Sequence, residues 1–115
     1  METVDYQDIS LKLAPMLDVL SHPARLQIVL HLAKYNGCPA GSISERLPLS
    51  KSTVSQHLSK LKELGIITAT PDGQCQRYSL NEKAMNELNE YYHSFITTIS
   101  ELSKAKIDCP GSCNC

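Results

Sequence analysis

Residues 49–65, LSKSTVSQHLSKLKELG, decide the fold. Ser50 is a good helix N-cap, because its hydroxyl can accept from a backbone N–H one turn into the helix that would otherwise lack a partner. Val54, Leu58, Leu61 and Leu64 recur at helical spacing and predict a buried stripe. Gly65 predicts the stop, since it alone takes the left-handed cap conformation without strain. The opposite face carries Lys51, Ser52, Thr53, Ser55, Gln56, His57, Ser59 and Lys60, with no carboxylate before Glu63. Amides and hydroxyls suit base edges, and lysines suit phosphates. An ordinary solvated helix shares that composition, so the flanks must decide between the two readings.

Upstream, Ile43 to Leu47 predicts a second short helix, joined to the first through Pro48-Leu49-Ser50. Two short helices linked by a tight turn are the helix-turn-helix pattern, whose second helix enters the major groove. Downstream, strands near 67–70 and 76–80 predict a β-hairpin, with Ile67, Ala69, Tyr78 and Leu80 alternating as half-buried residues. Pro71-Asp72-Gly73 reads as its turn, with proline pre-set for the first central position. Arg77 is the hairpin's only fixed cation and a candidate phosphate or minor-groove contact; a solvated strand arginine is the plainer alternative.

Charge distribution agrees with a single nucleic-acid-facing side. The net charge is −1, yet residues 46–77 hold 5 basic and 2 acidic side chains, while residues 1–45 and 78–115 each hold 3 basic and 5 acidic. A basic segment on an acidic body suits binding on one face. At 115 residues the chain is long enough for one domain, small enough that a dimer would help to bury its apolar faces. It has no apolar run long enough to span a membrane. The start, METVDYQDIS, lacks a secretory h-region, so a cytoplasmic location with reduced cysteines is expected. No enzyme motif is present: no phosphate-cradling glycine loop, no HExxH, and no nucleophile with a base at a recognisable spacing.

The remaining segments read as helices. Residues 6–20 place Ile9, Leu13, Met16, Leu17 and Leu20 on one side, with Pro15 either kinking the helix or marking its true start. Ser21 reads as the cap of the next helix, Pro23 sits in its first turn, and Asn36-Gly37 ends it; Leu26, Val29, Leu30 and Ala33 form its expected core face. His22 and His31 have no second ligand at helical spacing and read as cap-proximal, surface or core residues. From residue 82 to about 106, Met85, Leu88, Tyr92, Phe95, Ile99 and Leu102 step as the a/d seam of a heptad pattern. That seam needs a partner: the first helix in part, the same pair of helices from a second subunit for the rest. Two subunits would set two recognition helices about 34 Å apart.

The run Ser52-Thr53-Val54-Ser55-Gln56-His57-Leu58, followed by Leu61, Gly65-Ile66 and a hairpin with Asp72-Gly73 at its tip, resembles the ArsR/SmtB family of metal-responsive winged-helix repressors. The resemblance covers roughly residues 15–82. It implies a mainly α fold with a small hairpin, a winged helix-turn-helix with N- and C-terminal dimerisation helices, in which Ser21-His22-Pro23-Ala24-Arg25-Leu26 supports the DNA-reading unit. The family's arsenite- or cadmium-sensing Cys-x-Cys pair would fall at about Pro39 and Gly41, where only Cys38 is near. Its zinc site on the last helix would retain only His93 and Glu101. Some relatives of the arsenite-responsive type carry their thiols near the C-terminus.

Three of the five cysteines, Cys109, Cys113 and Cys115, fall in the last seven residues, CPGSCNC. Pro110 and Gly111 allow a sharp turn, so the three sulfurs can meet on one centre. Soft thiolates select soft ions. As(III) favours a three-sulfur pyramid; zinc would want a fourth ligand, from Cys38, His93 or the terminal carboxylate. The reading is therefore a domain over 1–108 that binds operator DNA as a homodimer, and a tail over 109–115 whose cysteines take As(III) or a similar thiophilic ion as inducer. Two alternatives stand: a persulfide or redox sensor on the same fold, and a thiol-rich metal-binding protein that does not bind DNA.

Overall fold

A computed structural model describes residues 6–111. Five helices and one hairpin follow in the order α1 (Tyr6–Leu20), α2 (Pro23–Lys34), α3 (Ala40–Arg46), α4 (Lys51–Glu63), β1 (Ile67–Asp72), β2 (Cys75–Leu80) and α5 (Glu82–Lys104). α2, α3 and α4 enclose the core with the base of the hairpin. Ile28, Ile43, Val54, Leu58, Leu61, Ile66 and Ile67 are fully buried there, each worth about 1.5–3 kcal/mol of removed apolar surface.

α4 starts and stops as its residues dictate. Thr53 N–H donates to Ser50 Oγ at 3.2 Å. At the other end Gly65 N–H donates to the Lys62 carbonyl at 2.9 Å, and Ile66 N–H to the Leu61 carbonyl at 3.0 Å. Those two bonds make a Schellman motif, with Gly65 at φ 74° in the left-handed position that it requires. Val54, Leu58 and Leu61 are buried as the periodicity implies, but Leu64 is the C-cap and remains 44% exposed. α3 spans Ala40–Arg46 in place of 43–47. It begins earlier because the Pro39 carbonyl already accepts from Ser42 and Ile43 N–H.

Three other sequence expectations are corrected. Ser21 does not cap α2: its hydroxyl turns back to the Asp18 carbonyl at 2.7 Å, and His22 holds the N-cap position without a side-chain cap bond. α2 buries Ile28, His31 and Leu32, leaving Leu26 and Leu30 exposed. Its apolar residues lie almost all round the helix, so spacing alone does not choose a face. α1 spans Tyr6–Leu20 with Pro15 inside it, as expected, but its buried residues are Leu13 and Val19, and Leu17 is left exposed.

The hairpin register pairs Ile67 with Leu80 and closes on Asp72 with Cys75. The turn is thus Gly73-Gln74, not Pro71-Asp72-Gly73. Gly73, at φ 62°, supplies the positive first central angle of a type II′ connection, and among the described residues no non-glycine residue has positive φ. Pro71 belongs to β1, opposite Gln76. Tyr78 directs both its N–H and its carbonyl away from β1, to Cys38, at 2.8 and 3.0 Å. Ala69–Tyr78 is therefore a pair without ladder bonds, and Pro71–Gln76, two residues on, is another; a missing N–H there costs no ladder bond. Cys38 so adds a one-residue third strand to the sheet.

Ala84 is the only buried residue of α5, and half-buried Met85 beside it still packs against the core. Beyond it α5 packs against α1, and Tyr92, Phe95, Ile96, Ile99 and Leu102 stay 40–52% exposed. α1 and α5 bound a cleft of about 350 Å³ lined mainly by apolar side chains, among them Leu13, Leu17, Phe95 and Ile99. No helix among the described residues is long and apolar enough to cross a membrane.

Candidate nucleic-acid interface

The helix-turn-helix of α3 and α4 leaves one side of α4 uncovered. Lys51, Ser52, Ser55, Gln56 and Lys60 are exposed on it, and Thr53 and His57 are half-buried at its margins. The first turn carries a hydroxyl cluster: Ser50 Oγ lies 3.3 Å from Ser52 Oγ and donates to Thr53 Oγ1 at 2.9 Å. Ser59 donates to the Ser55 carbonyl at 3.1 Å, so its hydroxyl is spent within the helix. Gln56, by contrast, has no intramolecular hydrogen bond among the described residues, which leaves both ends of its amide open for an adenine edge. Lys60 lies 3.7 Å from Glu63, both exposed, an ion pair of the kind that contributes less than about 1 kcal/mol and yields readily to a phosphate.

His57 is the residue whose surroundings sequence spacing concealed. Its Nδ1 accepts from Arg25 Nε at 3.1 Å, and its ring lies 6.0 Å from that of His22. Burial first, then Arg25 and His22, lower its pKa, which favours the neutral ring. Arg25 and His22 come from α2 and its cap, thirty-odd residues away, and no helical periodicity within α4 points to them.

Arg77 is placed on the wing as expected, but it is not free. Its Nε is 2.6 Å from Asp72 Oδ2, and Nη1 donates to the Gly37 carbonyl at 2.9 Å. A phosphate reaching it would compete with an exposed carboxylate. The guanidinium also ties β2 to the α2–α3 connection, where Gly37 N–H donates to Ser79 Oγ at 3.1 Å.

Of the thiols, Cys38 is half-buried with its Sγ 3.5 Å from the Tyr35 carbonyl, while Cys75 and Cys109 are exposed. All three are free. Cys113 and Cys115 lie outside the described residues, so the convergence expected of the tail is not on view. Among the described residues no group of three or more His, Cys, Asp or Glu side chains is arranged to hold a metal ion.

The profile described as "Bacterial regulatory protein, arsR family" matches residues 22–69, the span from the α2 cap through β1. The chain is 36% identical over 75 residues to the HTH-type transcriptional regulator YgaV of Escherichia coli, covering 65% of this chain and 76% of that protein. It is 30% identical over 93 residues to the transcriptional activator HlyU of Vibrio cholerae, covering 81% and 85%. A solved structure described as "Possible transcriptional regulator for arsenical resistance" superposes with a TM-score of 0.67 at 27% identity, over 82% of this chain and 98% of that one. An exposed, basic and amide-bearing second helix, a hairpin wing beside it and these relatives agree: the chain belongs to the ArsR family of winged helix-turn-helix transcriptional regulators, DNA-binding proteins and not enzymes.

Proposed function

We propose that this regulator is a cytoplasmic homodimeric repressor that reads its operator through α4 and lets go when a thiophilic ion, As(III) or one like it, binds Cys109, Cys113 and Cys115. The observation that carries the DNA half is the uncovered face of α4, where Gln56 and Lys60 stand exposed beside Lys51, Ser52 and Ser55; Thr53, His57 and Arg77 border it. The dimer is supported by the exposed apolar row of α5, Tyr92 to Leu102, next to exposed Leu17 of α1. A second copy laid on that row would bury it and set two α4 helices on successive major-groove faces.

The inducer half is supported by chemistry. Three thiols in seven residues form a soft donor set, Cys109 is exposed where the tail begins, and one structural relative is described in terms of arsenical resistance. For release to follow, the ion must bind the DNA-free dimer more tightly than the DNA-bound one. The decisive experiment is a metal-by-metal titration of the reduced protein on a fragment of its own promoter. As(III) should dissociate the complex at lower concentration than zinc; no dissociation by any thiophilic ion refutes the inducer assignment. A second reading, thiol oxidation as the signal, is favoured by the free, exposed state of Cys75 and Cys109 and by a solved relative described as "Reduced HlyU" (28% identity). It expects release by a persulfide or mild oxidant and reversal by dithiothreitol.

A further inference from the structure

Arg25 joins three helices. From the first turn of α2 its Nη1 donates to the Val19 carbonyl at 3.2 Å, and its Nε donates to His57 Nδ1 at 3.1 Å. Val19 lies in the last turn of α1, where carbonyls have no partner within their own helix. An arginine has donors only, so the bond to Nδ1 requires that nitrogen's lone pair. His57 must then carry its hydrogen on Nε2. A second ring proton would set Nδ1–H against the Arg25 N–H, with His22 also close by. Nε2 meets no acceptor among the described residues. His57 sits one turn from Thr53 and from Lys60 on α4, half-buried at the edge of the exposed face where Gln56 is fully outward. A donor at that margin is suited to the wall of the groove, where phosphates lie, and not to its floor.

We propose that Arg25 is a positioning residue for DNA binding: it locks His57 as the Nε2–H tautomer, so that α4 offers one oriented donor to a backbone phosphate. Because the same guanidinium holds the end of α1, that donor is aligned only while α1 and α4 keep their present relation. The inference rests on the reading of α4 as the DNA-contacting helix.

The test combines a long-range ¹H–¹⁵N spectrum of the full-length, reduced, histidine-labelled protein with operator binding by wild type, Arg25→Ala, His57→Ala and the double variant. Wild-type His57 should show a hydrogen on Nε2 and none on Nδ1, and Arg25→Ala should give a mixture of tautomers. His57→Ala should weaken binding about tenfold, the loss of one oriented hydrogen bond. Arg25→Ala should weaken it measurably but by less, because a ring free in tautomer and orientation still offers the donor part of the time. The double variant should bind no worse than His57→Ala, because Arg25 acts only through that ring. The loss should be alike on operator and unrelated DNA, as a phosphate contact requires. Additive losses, a loss confined to one operator base pair, or a hydrogen on Nδ1 in the wild type would overturn the proposal; the last reading stands even if Arg25→Ala fails to fold. Gln56→Ala is the separate control: if it leaves binding intact, the reading of α4 has failed, whereas a weakened Gln56 variant with an additive Arg25–His57 cycle defeats the present inference alone.

Discussion

Asn81 Nδ2 donates to the Gly65 carbonyl at 2.9 Å, tying the last residue before α5 to the residue that ends α4. The same side chain caps α5, accepting from Lys83 and Ala84 N–H at 3.2 and 3.4 Å, and the Asn81 backbone N–H reaches the Ile66 carbonyl at 3.0 Å. Asn81→Ala should lower stability by about 2 kcal/mol, from a lost cap and a lost hydrogen bond. Asn81→Ser keeps a cap oxygen and loses the bond to Gly65, so it should cost about 1 kcal/mol. Urea midpoints at unchanged slope would measure both; equal costs for the two variants would deny the tie to Gly65 a role.

On the recognition face, Gln56→Ala should weaken operator binding by about 1–3 kcal/mol and relax preference at one base pair. Lys60→Ala should weaken all sequences alike and lower the salt slope by about one. Fluorescence anisotropy at several salt concentrations separates the two patterns. Unaltered binding by both variants would remove these residues from the interface.

Phe95→Asp would set a charge in the middle of the exposed row on α5. If two copies meet there, the variant should sediment as a monomer while circular dichroism shows its helices retained. A wild type that is monomeric at micromolar concentration, or a mutant dimer as tight as wild type, would contradict the proposed assembly.

Acid should destabilise the fold before the carboxylates titrate. Burial first, then Arg46 and Lys34, lower the pKa of His31 below 6.5, and its buried Nε2 has no partner. The unfolded chain therefore takes up a proton at a higher pH than the folded one. Stability should be level above about pH 6.5, fall as the pH drops below it, and level off beneath the folded-state pKa. His57, also lowered, adds to the same slope. In His31→Leu the fall between pH 7 and 5.5 should shrink; a urea midpoint that rises on acidification would contradict the assignment.

A chain cut after Asp108 should fold, bind DNA and lose its response to arsenite, and single Cys→Ser changes at 109, 113 and 115 should each blunt it. Changes at Cys38 and Cys75 should matter less. Arsenite release of the truncated protein would return attention to those two thiols.

How much of this was legible in the sequence follows the range of the forces involved. The start and stop of α4 rest on Ser50 and Gly65, local backbone chemistry within a few residues, and both were readable. The buried stripe Val54-Leu58-Leu61 was readable for the same reason. The face of α2 was not, because its apolar residues surround the helix and only the placement of α1, α4 and β2 decides which are covered. Pro71 misled because proline is common in turns and is equally at home in a strand position that makes no ladder bond. Within the candidate site, the exposed residues of α4 stood out by composition. Arg25 on His57, Asp72 and Gly37 on Arg77, and Asn81 on Gly65 did not, since each joins parts of the chain that only folding brings together.

Cys38 paired with Tyr78 makes the wing more than a free hairpin. Two strands alone are marginal in water; here the α2–α3 connection is stitched to β2 through Cys38, through Ser79 on Gly37 and through Arg77 on Gly37. With Asn81 holding the Gly65 carbonyl, α4, the wing and the root of α5 form a single reading head. If the proposed inducer acts through α5, it would have no need to refold that head. It would have only to tilt it, as a rigid tool turned at the wrist, and a small change of angle at the handle would carry both the helix and the wing off their marks together.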